Sequence, residues 1–289
     1  MRFSRLVPLA TTFLKATGLY RRGVRNALAI EATHFDFVFP NLPMAFDGYR
    51  IVHLSDLHLD FLPETTERVL ALLDDCRADL CLFSGDYRVR RSKHYLQIME
   101  PMARICGAIS VPDGYYAVLG NHDCLEMIES FEAMGINVLV DQSVKIRRAD
   151  QTLTLSGVDG RYVGFRHLEG PKRTLEPLSD FAIALTHAPD LVESMQARGY
   201  SLYLAGHTHG GQICLPGGRP IMSNVDAPRA YIKGRWQAGD MQGYTNSGVS
   251  VSSLPIRFNT RGEVATITLR RRPRSGATAT APASPPSSH

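Results

Sequence analysis

The stretch Arg50-Ile-Val-His-Leu-Ser-Asp-Leu-His58 sets the reading of the whole chain. A short apolar run ends abruptly in Asp56-Leu57-His58, as a buried strand does when it delivers polar residues to a loop. Four more runs end the same way. Leu80-Cys-Leu-Phe-Ser84 leads into Gly85-Asp86, and Tyr115-Tyr-Ala-Val-Leu119 into Gly120-Asn121-His122-Asp123; Phe181-Ala-Ile-Ala-Leu-Thr186 leads into His187, and Leu202-Tyr-Leu-Ala205 into Gly206-His207-Thr208-His209. Helix-compatible stretches, Thr65 to Arg77, His94 to Cys106 and Cys124 to Met134, separate the first three runs or follow the third. Alternation over Glu31 to Phe39 reads as a half-buried strand at the start of the folded domain. Thr152 to Ser156 and Val264 to Leu269 follow polar turns with no helix before them, which predicts a second, partly antiparallel sheet. The expected fold class is α/β (α+β).

What stands at the carboxyl end of each run carries the chemistry. In an open α/β sheet, residues distant in sequence meet in one crevice at the strand ends. A lone histidine behind a strand is usually a hydrogen-bonded structural residue, and a Gly-Asp pair is usually a turn. Five metal-capable groups in succession do not reduce to that. Burying three carboxylates and five imidazoles together without a cation costs many kcal/mol in desolvation and repulsion. Cations resolve the cost, and about seven ligands suffice for two. Carboxylate, imidazole and amide oxygen together are borderline in softness, which fits Mn²⁺, Fe²⁺ or Zn²⁺ and argues against a thiolate zinc site.

Asp56-x-His58, Gly85-Asp86, Gly120-Asn121-His122-Asp123, His187 and Gly206-His207-Thr208-His209 resemble, in order, the five blocks of the calcineurin-like metallophosphoesterase family. The resemblance spans residues 47 to 210. It implies a β-sandwich flanked by helices, with two divalent ions, manganese foremost. Asp56, His58 and His209 would hold one metal, Asn121, His187 and His207 the other, and Asp86 would bridge them. His122 would be the general acid, with Asp123 orienting its ring. Two ions about 3.5–4 Å apart activate water and clamp phosphoryl oxygens during in-line displacement, and an imidazole beside them supplies the leaving-group proton.

The formal charge of +4 conceals an uneven distribution. Arg2, Arg5, Lys15, Arg21, Arg22 and Arg25 lie in the first 30 residues, and Arg270, Arg271, Arg272 and Arg274 in the last 20, neither region holding an acid. The body between them has 22 basic against 28 acidic residues, a net of −6. That balance disfavours a broad nucleic-acid track. The chain divides into a basic amphipathic segment (1–29), the catalytic domain (30–270) and a tail rich in Arg, Ser, Pro and Ala (271–289), expected to be disordered. Phe3, Leu6, Val7, Ala10, Phe13 and Leu14 share one helical face edged by basic residues, a pattern suited to an anionic membrane surface or to docking on the domain itself. An odd number of cysteines (Cys76, Cys81, Cys106, Cys124, Cys214) and no run long enough to span a bilayer favour a cytoplasmic setting, peripheral on the inner membrane if the segment binds lipid.

Further blocks narrow the expectation. Gly206 to Ile213 with Leu215-Pro216, and Gly248-Val-Ser-Val-Ser-Ser-Leu-Pro-Ile-Arg-Phe-Asn259, resemble a membrane-associated bacterial branch that includes enzymes splitting UDP-2,3-diacylglucosamine in lipid A synthesis. The chain departs from many members in placing Tyr87-Arg88 after Asp86 and in lacking a long insertion that could cap a lipid. Arg88, with Arg90 and Arg91, would receive a phosphate of the substrate or form a solvated basic loop. The function expected is hydrolysis of a phosphodiester or pyrophosphate bond by metal-activated hydroxide on a phosphorylated, lipid-linked small molecule. The alternatives are a general phosphodiesterase for soluble nucleotides or nucleic acid, and a non-catalytic metal-binding scaffold. Serine-hydrolase chemistry lacks its G-x-S-x-G motif.

Overall fold

The structure, a computed structural model, describes residues 11–89, 95–160, 175, 178–222 and 224–273. Arg90, Arg91, the first ten residues and the tail from 274 lie outside the described residues, so most of the apolar face in the leading segment does too.

Continuous apolar runs become strands, β2 (Tyr49–Leu54) and β3 (Leu80–Phe83) almost wholly buried and β4 (Tyr115–Ala117) half-buried at Tyr115 and Tyr116. The three run parallel in one six-stranded sheet, ordered β1-β12-β2-β3-β4-β5. Here β1 is Glu31–Phe39, β5 Ile136–Val138 and β12 Glu263–Arg271. The second sheet is ordered β10-β11-β9-β8-β7-β6, from β6 (Gln142–Arg148) and β7 (Gln151–Val158) through β8 (Ala182–Thr186) and β9 (Leu202–Ala205) to β10 (Gly234–Ala238) and β11 (Met241–Thr245). Its centre is parallel and its two ends are antiparallel.

Period-2 alternation distributes side chains between layers. Ile51, Leu80, Leu82, Leu153, Leu155, Ile183, Leu202 and Ile267 point into the space between the sheets. Val52, Leu54, Cys81 and Phe83 point the other way, onto helices α2 (Glu64–Leu73) and α3 (Met99–Gly107). Helix α4 (Met127–Ala133) joins that layer through Phe131, and α5 (Val192–Ala197) covers the second sheet through Val192 and Met195. The architecture is therefore two sheets flanked by helices. Truncating a between-sheet residue such as Leu82 to alanine costs about 2–5 kcal/mol.

Two expectations need correction. The five site-bearing strands do not share one open sheet: β2, β3 and β4 belong to the first and β8 and β9 to the second. The strand at Val264 to Leu269, expected in a second sheet, is β12 in the first, antiparallel to β2 and parallel to β1. The reason is that a between-sheet core asks for the same apolar alternation from either side.

Helix α1 (Leu19–Ala27) is docked on the domain. Gly23 and Ala27 are its buried positions, and a Cβ on Gly23 would stand 2.7 Å from Ile256, so only glycine allows this approach. Among the described residues no helix is long and apolar enough to cross a membrane.

Candidate metal centre

The carboxyl ends of strands from both sheets meet at one edge. Asp56 and His58 follow β2, Asp86 follows β3, Asn121 to Asp123 follow β4, His187 follows β8, and His207 and His209 follow β9. The backbone is strained there. Asp56, His58, Asp86, His207 and His209 all have positive φ, between 41° and 69°, a region that non-glycine residues seldom occupy. Glycines supply the clearance around them: a Cβ on Gly120 would collide with Asp86, and one on Gly206 with Ser55 and Asp56.

Two groups of ligating atoms result. Asp56, His58 and His209 form one, Asp86, His187 and His207 the other, and within each group the ligating atoms lie within 4.8 Å of one another. All six residues are buried. Asn121 joins the second group, its Oδ1 lying 3.1 Å from His187 Nε2. Asp86 lies between the groups, with Oδ2 3.8 Å from His58 Nε2 and 3.4 Å from His187 Nε2.

Backbone carbonyls fix how three of the four imidazoles in these groups present themselves, while His207 Nδ1 lies 3.1 Å from His187 Nε2. His58 Nδ1 lies 3.0 Å from the Arg88 carbonyl, His209 Nδ1 3.1 Å from that of Ser250, and His187 Nδ1 2.7 Å from that of Ser84. A carbonyl only accepts, so each Nδ1 carries the hydrogen, and in the neutral ring the lone pair is on Nε2. His58 Nε2 and His209 Nε2 then face each other at 3.3 Å with no hydrogen between them. Asp56 Oδ1, buried in the same place, has no hydrogen-bond partner among the described residues, while Oδ2 accepts from Ser55 Oγ and the His207 amide. Abutting lone pairs and an orphaned carboxylate oxygen are destabilising unless a cation lies between them. The donor set fits two divalent ions.

Electrostatics separate the groups. Burial pushes His58 and His207 down to about 4; burial, then the Arg257 guanidinium, pushes His209 to about 3, so these rings are neutral at physiological pH. His187 goes the other way. Burial would lower it, but the Asp86 carboxylate outweighs burial and raises it to about 10. Asp86 is held well below the usual carboxylate range: burial opposes this, and His187 and His58 overcome it.

His122 lies at the rim, with its side chain 26% exposed and its Nε2 4.0 Å from Asp86 Oδ2. Its Nδ1 lies 2.8 Å from the Val89 carbonyl, and its amide donates to Asp86 Oδ1 at 2.9 Å. The resemblance implied that Asp123 orients this ring, and the structure differs. The Asp123 carboxylate accepts from the amides of Gly120, Asp86 and Tyr87, at 2.7, 2.8 and 3.0 Å, binding the loops after β3 and β4 together. Burial and the nearby Asp86 raise Asp123 to about 7. Arg88 also departs from expectation. It is only 6% exposed, and its Nε donates to the His122 carbonyl at 2.9 Å, so it serves the loop bearing His122 instead of standing open to a substrate.

Sequence reasoning missed the carbonyls of Ser84, Arg88, Val89 and Ser250, and it missed Arg257. The Gly248 to Asn259 block was visible as a motif, and an arginine within a run of small and apolar residues was its only signal.

Residues 49–211 match the sequence profile of the calcineurin-like phosphoesterases. The chain is 31% identical to the uncharacterized metallophosphoesterase YkuE of Bacillus subtilis, over 83% of this chain and 86% of that protein. It is 29% identical to the phosphodiesterase YaeI of Escherichia coli, over 76% and 82% of the respective chains. Among solved structures, TT1561 of Thermus thermophilus superposes with a TM-score of 0.45 and 11% identity, covering 70% of this chain and 91% of that one. The chain belongs to the calcineurin-like phosphoesterase family and is a metal-dependent phosphoesterase.

Proposed function

We propose that this protein hydrolyses a phosphodiester or pyrophosphate bond at a dinuclear centre held by Asp56, His58 and His209 on one side and Asn121, His187 and His207 on the other, bridged by Asp86. The observation that carries this reading is the placement of Asp86 Oδ2 between the two groups, within 3.8 Å of His58 and 3.4 Å of His187. Bound there, two divalent ions would activate water and neutralise charge on the phosphoryl oxygens. Manganese suits the mixed oxygen and nitrogen donors, with iron or zinc as the alternatives that metal analysis separates.

The chain's own groups do the rest. His122 is the acid: Val89 holds its Nδ1–H, leaving Nε2 on the open side to carry the second proton to the leaving oxygen. Arg88 holds the His122 backbone and Asp123 keeps the two loops in register. Turnover of bis-nitrophenyl phosphate with Mn²⁺, and its loss in EDTA, tests the activity; metal-independent turnover would sink it.

A lipid-linked substrate such as UDP-2,3-diacylglucosamine has its own support. A groove of about 540 Å³ begins at Thr208 and His209 and continues along Ile213, Ile221, Met222 and Leu254. Ile221 and Met222 are 54% and 48% exposed, an apolar patch beside the metal ligands that a soluble nucleotide does not require. Release of uridine monophosphate from the lipid nucleotide should fall at least tenfold in Met222→Asp while hydrolysis of bis-nitrophenyl phosphate is unchanged. Equal activity of the variant on both would remove the lipid. In the same reading the segment ahead of α1 rests on anionic membrane, supported by Phe13, which is 63% exposed. Phe13→Asp should move protein from the membrane pellet to the supernatant, and unchanged partition would contradict that contact.

A further inference from the structure

Arg257 is fully buried, yet every hydrogen-bond partner of its guanidinium is a backbone carbonyl. Nη1 donates to His209 and Arg261 at 2.9 and 3.2 Å; Nη2 donates to Ser247, Gly248 and Ser250 at 2.7, 3.0 and 2.6 Å. Burying a cation with no carboxylate in contact among the described residues costs several kcal/mol, and the converging carbonyl dipoles offset it here together with the field of the Asp56 and Glu263 carboxylates. Burial lowers its pKa to about 10, so the charge persists at neutral pH.

Two of those carbonyls lead directly to one metal ligand. One is the carbonyl of His209 itself. The other belongs to Ser250, which also accepts the His209 ring and thereby sets its tautomer. Gly248 sits beneath Asp56 at φ 72°, where a Cβ would stand 2.8 Å from the Asp56 Cβ, and the Ser250 amide donates to the Asp56 carbonyl at 3.0 Å. No carbonyl held by Arg257 belongs to Asp86, His187 or His207. The far side of Arg257 is gripped by α1: its amide donates to the Gly23 carbonyl at 3.0 Å, and Asn26 Nδ2 donates to its carbonyl at 3.0 Å.

We infer that Arg257 is a positioning residue for the Asp56, His58 and His209 metal site alone, and that helix α1 braces it, making the leading helix part of the support of one metal. The inference rests on the dinuclear reading above. The two Nη groups of a planar fork can gather this fan of carbonyls, with Nε–H left without a partner among the described residues, and the three N–H groups of a lysine ammonium, at one point, cannot.

The test is Mn²⁺ titration of metal-free full-length protein, followed by bound metal and by electron paramagnetic resonance. Wild type should take up two equivalents. Arg257→Lys should weaken one equivalent by about 10–100-fold and leave the other unchanged, the usual scale for losing a group that orients a ligand. His209→Gln should lose the same equivalent, and Arg257→Lys added to His209→Gln should cause no further loss. Equal weakening of both equivalents, no weakening, or additive losses in the double variant would overturn the inference. If Arg257→Lys does not fold, Asn26→Ala decides: it removes one bond from the brace and should weaken the same equivalent by a smaller factor, whereas an unchanged titration counts against it. A wild type that binds fewer than two ions overturns the dinuclear reading first, so the two failures are distinguishable.

Discussion

The two halves of the metal centre solve the same electrostatic problem in different ways. In the Asp86, His187 and His207 half, an imidazolium and a carboxylate neutralise each other, and His187 is raised to about 10. In the Asp56, His58 and His209 half, both rings are neutral and their Nε2 atoms face each other at 3.3 Å. A proton can stand in for the cation in the first case and not in the second. In the second half the 247–257 loop holds His209 through the Ser250 carbonyl and the Arg88 carbonyl holds His58, while in the first the Ser84 carbonyl at the end of β3 holds His187. Asp86 is the group proposed to join the halves, its Oδ2 lying 3.8 Å from His58 Nε2 and 3.4 Å from His187 Nε2.

The sharpest way to break this comparison is to remove that joining group. Asp86→Ala should lose both equivalents of metal and nearly all turnover; retention of two ions, measured by inductively coupled plasma mass spectrometry, would contradict the bridge. His122→Asn should keep both metals and lose about 10²–10³-fold in turnover with an alkoxide leaving group, and far less with nitrophenolate. Equal losses on the two substrates would show that His122 donates no proton.

Much of this was legible in the residues. The strands could be read because they are largely buried and so run continuously apolar, and Asp56, His58, Asp86, Asn121, His187, His207 and His209 could be read because each stands at a strand end. The allocation of β8 and β9 to a second sheet could not, since Phe181 to Thr186 and Arg50 to Leu54 are built alike. Partners that are backbone atoms leave no trace in composition: every residue has a carbonyl, so Val89 holding His122, or Ser250 holding His209, is visible only in three dimensions. Asp123 misled for the same reason, because it sits next to His122 in sequence but spends its carboxylate on three amides.

The smallest expected effect concerns a buried histidine outside both halves. His53, on β2, bonds Ser84 Oγ at 2.9 Å, and burial lowers its pKa to about 3. The folded state therefore refuses a proton that the unfolded chain accepts below its ordinary value near 6.5. Its contribution is present above that value and is lost as pH falls towards about 3. Between pH 7.5 and 5.5 wild type should lose about 1.4 kcal/mol more stability than His53→Gln in urea unfolding. Parallel pH slopes for the two proteins would show that His53 is not held neutral, and would leave the refusal of protons confined to the metal ligands.

Anomalous diffraction at the manganese edge from Mn²⁺-loaded crystals tests the dinuclear centre most directly. That centre requires two peaks about 3.5–4 Å apart, one enclosed by Asp56, His58 and His209 and the other by Asn121, His187 and His207, with Asp86 in contact with both. A single peak, or two that do not share Asp86, would contradict it.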